Sequence, residues 1–141
     1  ISIHEAEEHW LQDPNANLAA FIGLPFEPSK ADKLWKDGDR LEALGRTFDI
    51  HHVPGHSPGQ CAIVCDAETI FLGGDLLMKG SIGRIDFPGC SPADMTQSLR
   101  GLFQDWGKDE WRVFPGHGPE TTIGEERRGN MLVREALERG L

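Results

Sequence analysis

The chain has 141 residues, enough for one domain with its own hydrophobic core and too few for two, so residues 1–141 are predicted to form a single domain. Hydrophobic residues make up 38% and charged residues 26%, which is typical of a folded globular protein and excludes a disordered chain. Acidic residues outnumber basic ones 23 to 14, and the formal net charge of −9 argues against nucleic acids and anionic membranes as partners.

The first part of the chain is predicted to contain mostly β-structure. A short acidic helix is predicted over residues 4–11, because Asp13-Pro14 ends the helical pattern, and residues 24–39 are predicted to be a loop. Runs rich in β-branched and aromatic residues predict four strands, at residues 40–44, 47–53, 60–66 and 68–72. The first two of these strands are predicted to form a β-hairpin.

Helical periodicity returns in the last third of the chain. Ser91, followed by Pro92, is predicted to cap a helix that ends near Trp106. A strand follows at residues 111–114, and Thr122 begins a capping box that predicts a last helix extending toward the C-terminus. This order of elements predicts an α/β fold in which helices flank an antiparallel or mixed sheet.

The three cysteines, Cys61, Cys65 and Cys90, are an odd number and include no Cys-x-x-Cys pair. Cys61 and Cys65 lie in one predicted strand, too far apart along it to form a disulfide readily. We predict that all three are small buried residues rather than metal ligands or redox groups. Such usage is typical of a reducing, cytoplasmic compartment.

Three loops carry residues that a purely structural scaffold would not need. His56, Asp75 and His117 each lie in a loop rich in glycine, and each loop follows a predicted strand. Where strand ends meet at one edge of a sheet, such loops bring their polar side chains to a common point. Imidazole nitrogens and a carboxylate oxygen suit Zn²⁺, Fe²⁺ or Mn²⁺, so the sequence predicts a metal site formed by these three residues.

The same loops resemble those of the metallo-β-lactamase superfamily. The matching segments are residues 53–59 (VPGHSPG), 71–75 (FLGGD) and 113–119 (VFPGHGP). Residues 80–89 (GSIGRIDFPG) and 121–126 (TTIGEE) resemble more narrowly the glyoxalase II-like, or hydroxyacylglutathione hydrolase-like, branch. The resemblance implies that the chain is the C-terminal part of an αββα sandwich.

For the site, the resemblance implies a dinuclear metal centre, with zinc as the first candidate and iron or manganese as alternatives. His56 corresponds to the third histidine of the first metal, Asp75 to the catalytic carboxylate that bridges both metals, and His117 to the last histidine of the second metal. A metal-bound hydroxide would attack the carbonyl carbon of a small-molecule thioester, such as a glutathione conjugate.

The resemblance also points to two substrate-binding candidates, Arg84 and Lys79. In glyoxalase II enzymes a basic residue at the position of Arg84 contacts the glutathione carboxylate, and Lys79 is a second candidate for the same role. The alternative for Arg84 is a surface ion pair with Asp86, and the sequence leaves both interpretations open.

One motif of the family is missing from the chain. His-x-His-x-Asp-His would lie upstream of His4, and no other segment supplies it. We therefore expect an incomplete metal site, and we expect a C-terminal portion of a longer enzyme, inactive alone, rather than a degenerate relative, because the chain starts at Ile1 and its other motifs are intact. The missing sheet would leave apolar surface exposed, for an N-terminal segment or a second copy of the chain to cover.

Two other functions fit the sequence. A persulfide dioxygenase-like enzyme would use one Fe²⁺ held by two histidines and one aspartate, and that branch shares a similar Gly-Arg-x-Asp-Phe segment at residues 83–87. The chain could instead be a structural module without catalysis. Metal content and oxygen uptake distinguish these alternatives from a thioester hydrolase.

Overall fold

The computed structural model describes all residues from Ile1 to Leu141. It contains ten strands: β1 (Ser2–His4), β2 (Lys33–Trp35), β3 (Arg40–Ala43), β4 (Arg46–His52), β5 (Cys61–Cys65), β6 (Ile70–Gly74), β7 (Leu77–Met78), β8 (Ser81–Ile82), β9 (Arg112–Pro115) and β10 (Thr121–Thr122). The α-helices are α1 (Ala19–Ile22), α2 (Pro92–Arg100), α3 (Ile123–Gly129) and α4 (Met131–Glu138). Two 3₁₀ helices lie at Glu5–Leu11 and Asp66–Glu68, and Gly101–Trp106 extends α2 as a wide π-helical turn.

A six-stranded sheet in the order β10-β9-β6-β5-β4-β3 forms the centre of the fold. Strands β3 to β6 are an antiparallel meander, whereas β9 pairs with β6 in parallel. The predicted mixed α/β architecture is therefore confirmed. Because β6 and β9 run in the same direction, the residues that follow them emerge at the same edge of the sheet.

One face of the sheet carries the hydrophobic core. Phe71 and Val113 are paired across β6 and β9 and are fully buried in a cluster that also includes Met95 and Leu99 of α2. The predicted helix cap is confirmed, since the Ser91 hydroxyl accepts a hydrogen bond from the backbone N–H of Asp94. Apolar residues at helical spacing thus fix α2 against the sheet.

The opposite face of the sheet has a second row of apolar side chains, which are unequally covered. Ile50, Ile63, Leu72 and Phe114 lie side by side across four strands. The fully buried Ile50 contrasts with Leu72, which is 37% exposed. Only Leu72 in this row is exposed, so the expected uncovered surface and the segment or second copy that would cover it stay predictions.

The N-terminal region differs from the sequence prediction. Residues 24–39 were expected to be a loop, yet Lys33–Trp35 forms β2, which pairs in parallel with β1. Three residues are too few to show a period, and the partner strand lies far upstream, so no local signal marks this pair. The predicted helix over residues 4–11 is present as a 3₁₀ helix at Glu5–Leu11.

The last predicted helix is two helices. Thr122 caps α3 as predicted, but Asn130 has an extended backbone and separates α3 from α4. The Asn130 side chain accepts hydrogen bonds from the backbone N–H groups of Leu132 and Val133, so it caps the second helix. None of the helices combines the length and apolar character that a bilayer crossing requires.

His51 makes the stability of the fold depend on pH. Its ring stacks on Trp106 with 4.1 Å between centroids, and burial lowers the pKa of His51 below the usual 6.5. The unfolded chain therefore binds the proton more readily, so stability is complete above about pH 6.5 and is lost as the pH falls through the lower, folded pKa. Burial lowers the pKa of His4 in the same direction.

We expect the free energy of unfolding, measured with urea, to fall between about pH 7.5 and pH 5.5. His51→Phe keeps an aromatic ring against Trp106 and removes the titrating group, so this variant should lose less stability over the same range. An identical pH dependence in the variant and the parent would contradict the assignment to His51.

Candidate metal centre

Three loops bring their polar side chains together at one edge of the sheet. Asp75 directly follows β6, His117 lies just beyond β9, and His56 lies in the loop after β4. The Asp75 Oδ2 atom is 3.3 Å from His56 Nε2 and 3.7 Å from His117 Nε2. The backbone N–H of Gly116 donates to the Gly74 carbonyl at 2.8 Å and joins two of the loops. The structure thus brings the three predicted residues together, with the two imidazoles facing the Asp75 carboxylate.

The glycines of these loops are required by close approach. A Cβ atom on Gly116 would lie 2.4 Å from Asp75 Oδ1. Gly55 has a φ of +142°, and a Cβ there would lie 2.5 Å from the Met95 Cα atom. Any side chain at either position would displace a predicted ligand or its loop.

The His56 ring is oriented by a backbone carbonyl. His56 Nδ1 is 2.9 Å from the Arg84 carbonyl oxygen, which can only accept a hydrogen bond. Nδ1 therefore carries the proton, and the lone pair of Nε2 faces Asp75. The Cys90 thiol donates to the His56 carbonyl, with 3.0 Å between sulfur and oxygen. Sequence reasoning missed both contacts, because a backbone acceptor leaves no residue-specific signal.

The carboxylate of Asp75 fits a bound cation. Its Oδ1 atom is buried and has no hydrogen-bond partner, a costly arrangement for a polar atom. Two ligand atoms that each lie about 2.1 Å from one tetrahedral ion are about 3.4 Å from each other. This separation is close to the 3.3 Å between His56 Nε2 and Asp75 Oδ2. The donor set, two imidazoles and a carboxylate, is one that divalent zinc and iron accept.

The chain does not enclose an ion by itself. No group of three or more His, Cys, Asp and Glu side chains closes around one ion position. His117 is 80% exposed, whereas His56 is 29% exposed, so only one of the two imidazoles is held by its surroundings. Each imidazole together with Asp75 offers two ligand atoms to an ion. An ion bound to either pair needs further ligands.

The two predicted substrate-binding residues lie in different surroundings. The Arg84 guanidinium forms two hydrogen bonds to Asp86, at 2.7 and 2.8 Å, and lies 3.6 Å from the centre of the Phe87 ring. This contact raises the pKa of Arg84 and lowers the pKa of Asp86. The ion pair foreseen as one alternative is therefore formed, and a contact with substrate stays a prediction.

Lys79 lies at the turn between β7 and β8 and lines a surface depression that the three ligands do not share. The other lining residues of this depression are Arg112, Glu120, Thr121, Thr122 and Glu125. The geometry gives no support to the predicted role of Lys79 in substrate binding, which stays a prediction.

All three cysteines are free thiols, but the prediction that all three are buried is correct only for Cys65, since Cys61 and Cys90 are half-buried. Burial raises the pKa of the Cys61 thiol to about 11, so it remains protonated at neutral pH. Cys65 is buried, and Cys90 is half-buried beside His56.

Comparison with known proteins identifies the family. The sequence profile of the metallo-beta-lactamase superfamily matches residues 1–117, which include all three predicted ligands. The chain belongs to this superfamily. The resemblance seen in the loop motifs and the expected fold are thereby confirmed.

Several superfamily members are similar over most of the chain. The hydroxyacylglutathione hydrolase GloC of Haemophilus influenzae is 34% identical over 114 residues, which cover 79% of this chain and 53% of that protein. The crystal structure of the B3 metallo-beta-lactamase BLEG-1 has a TM-score of 0.85 and 34% identity, and covers 94% of this chain and 64% of its own. TTHA1623, solved in a di-iron-bound form, has a TM-score of 0.80 and 34% identity, and the match covers 93% of this chain and 63% of the TTHA1623 chain.

The chain spans less than two thirds of the length of these metallo-beta-lactamase superfamily members. A metal-dependent hydrolase family is supported by further relatives, including the probable metallo-hydrolase YqgX of Bacillus subtilis, which is 28% identical over 134 residues and covers 94% of this chain and 63% of that protein.

Proposed function

We propose that this chain is the metal-binding part of a hydrolase that cleaves small-molecule thioesters of the hydroxyacylglutathione type. The observation that carries the proposal is the Asp75 carboxylate, which faces two imidazole nitrogens and has a buried oxygen without a partner. The similarity to GloC, a hydroxyacylglutathione hydrolase, supports the choice of substrate class.

His56, Asp75 and His117 would hold the metal. A divalent ion supplies a hydroxide nucleophile at neutral pH and polarises the carbonyl of the substrate. Asp75 keeps its Oδ2 atom toward both imidazoles, while the Arg84 carbonyl keeps the proton of His56 on Nδ1 and so frees Nε2 for the ion. We propose zinc, in a dinuclear centre in the complete enzyme; the di-iron form of TTHA1623 supports iron as an alternative.

For substrate recognition we propose the cation of Arg84. It is 54% exposed although it is paired with Asp86, and the carbonyl group of the same residue is bonded to His56. A glutathione carboxylate could bind the remaining guanidinium N–H groups. Lys79 is a weaker candidate, because it lies in a separate depression.

The test uses both the chain from Ile1 to Leu141 and the product of the complete reading frame that contains it. We expect the complete product, loaded with zinc, to release thiol from S-lactoylglutathione, and we expect the 141-residue chain alone to be inactive because its donors do not enclose an ion. Asp75→Asn in the complete product should abolish the reaction. A zinc-loaded complete product that cleaves no thioester would overturn the proposal.

The donor set itself favours a second candidate. Two histidines and one carboxylate with open positions are the ligands of mononuclear Fe²⁺ oxygenases, and this chain supplies that number of donors. The complete product would then hold one iron per chain and consume oxygen in the presence of glutathione persulfide. That result, without thioester cleavage, would replace the hydrolase proposal. A complete product that binds no metal would indicate a structural module.

A further inference from the structure

The segment between β7 and Asp86 contacts two of the predicted ligands. A Cβ atom on Gly83 would lie 2.0 Å from the backbone oxygen of Asp75, so the two backbones are in direct contact. The next residue, Arg84, accepts the hydrogen bond from His56 Nδ1. The position of this short segment therefore decides where both His56 and Asp75 lie.

A buried carboxyl group holds the start of the same segment. Glu126 of α3 is 3% exposed, and its Oε2 atom accepts hydrogen bonds from the Gly80 backbone N–H and from Asn130 Nδ2, both at 2.8 Å. Its Oε1 atom accepts from the Thr121 hydroxyl at 2.6 Å. Asn130 Nδ2 also donates to the carbonyl of Ser81 at 2.9 Å, so Gly80 is bonded to Glu126 directly and Ser81 is linked to it through Asn130.

We propose that Glu126 is a positioning residue for the metal centre, although it touches none of the ligands. Buried donors and acceptors that lose their partners cost free energy, so the β7–β8 turn has one favoured position while Glu126 is present. Strand β8 connects this turn to Gly83 and Arg84, so a shift of the turn also moves the Arg84 carbonyl. The hydrogen bond between that carbonyl and Nδ1 then moves the His56 ring. The inference rests on the proposed metal site and assigns to it a residue of another element.

The test compares Glu126→Ala with Glu126→Gln. Glutamine can accept from Gly80 with its oxygen and donate to Thr121 with its nitrogen, because the Thr121 hydroxyl can turn toward Glu125, 2.9 Å away. Alanine removes every contact. The matched control is Glu135→Ala on α4, which is exposed and makes no side-chain hydrogen bond within the fold.

The first measurement is the tautomer of His56 in the metal-free chain, read from long-range ¹H–¹⁵N NMR at about pH 8. We expect the Nδ1-protonated form in the parent, in Glu126→Gln and in the control, and a mixture of both tautomers in Glu126→Ala. The second measurement is the Co²⁺ affinity of the complete product, followed by visible absorption, which Glu126→Ala should weaken by roughly 10- to 100-fold.

A folded Glu126→Ala variant with the parent's tautomer and Co²⁺ affinity would overturn the proposal. Should that variant fail to fold, Thr121→Val removes only one donor, and it must then shift the tautomer in the same direction or the proposal is wrong. The tautomer measurement needs no metal. A complete product that binds no Co²⁺ would overturn the metal site and leave the positioning role to be decided by the NMR result.

Discussion

Asp75→Asn is expected to weaken metal binding by more than roughly 100-fold. That figure is the upper loss of metal affinity when a residue that only supports the ligands is changed, and Asp75 is proposed as a ligand itself. The substitution keeps the size of the side chain and removes its negative charge. Oδ2 of Asp75 is the one oxygen that both His56 and His117 face, so no other group can replace it. The measurement is a Co²⁺ titration of the complete product followed by competition with Zn²⁺.

Asp105→Asn is the matched control for this prediction. Asp105 is exposed on the π-helical turn after α2 and its side chain has no hydrogen-bond or ion-pair partner in the fold, so the same change in net charge should leave the metal affinity as it is. Equal affinities of the Asp75 and Asp105 variants would show that the carboxylate at the end of β6 holds no metal.

Gly55→Ala is expected to destabilise the fold by about 3 kcal/mol, the sum of a strained backbone and a forced side chain in a packed site. Its Cβ would meet the Cα, Cβ and N atoms of Met95 at 2.5–2.6 Å, and Met95 lies in α2, which is fixed in the core. The Gly55 carbonyl also accepts from the Ser91 N–H, so the start of α2 would move with the loop.

Gly129→Ala provides the comparison, because a Cβ at Gly129 meets no atom within 4 Å. This residue ends α3, where alanine is a better helix former, so the variant should be equal to the parent or more stable by up to about 1 kcal/mol. Urea unfolding of both variants gives the two values. A Gly55→Ala variant as stable as Gly129→Ala would show that the loop can move away from α2 at no cost.

The parts of the fold that could be predicted from the sequence are those with local signals. Ser91 and Thr122 each provide a hydroxyl that caps a helix, and both caps are present. The pairing of β1 with β2 has no such signal, since it joins two short segments that are far apart along the chain. The separation of α3 from α4 at Asn130 was missed although Gly129-Asn130 is a local signal that ends helices, because the apolar stripe used for the prediction begins only at Met131.

The candidate site shows the same division. His56, Asp75 and His117 could be identified because each lies next to glycine in a loop that follows a predicted strand, and the structure brings all three together. The contact that orients His56 could not be predicted, since every residue has a carbonyl and only the fold selects that of Arg84. Lys79 was predicted to bind substrate because of its charge and the family resemblance. Neither of these indicates the direction in which the β7–β8 turn faces.

The parallel pairing of β6 with β9 also determines when the site can form during folding. Strands β3 to β6 are neighbours in sequence, so their contacts close short loops and can form early. Pairing β9 with β6 must first close a long loop that contains β7, β8 and α2, and such non-local contacts form slowly. Asp75 and His117 meet only at that step. A metal ion held by both Asp75 and His117 would therefore require the pairing of β6 with β9 to be in place.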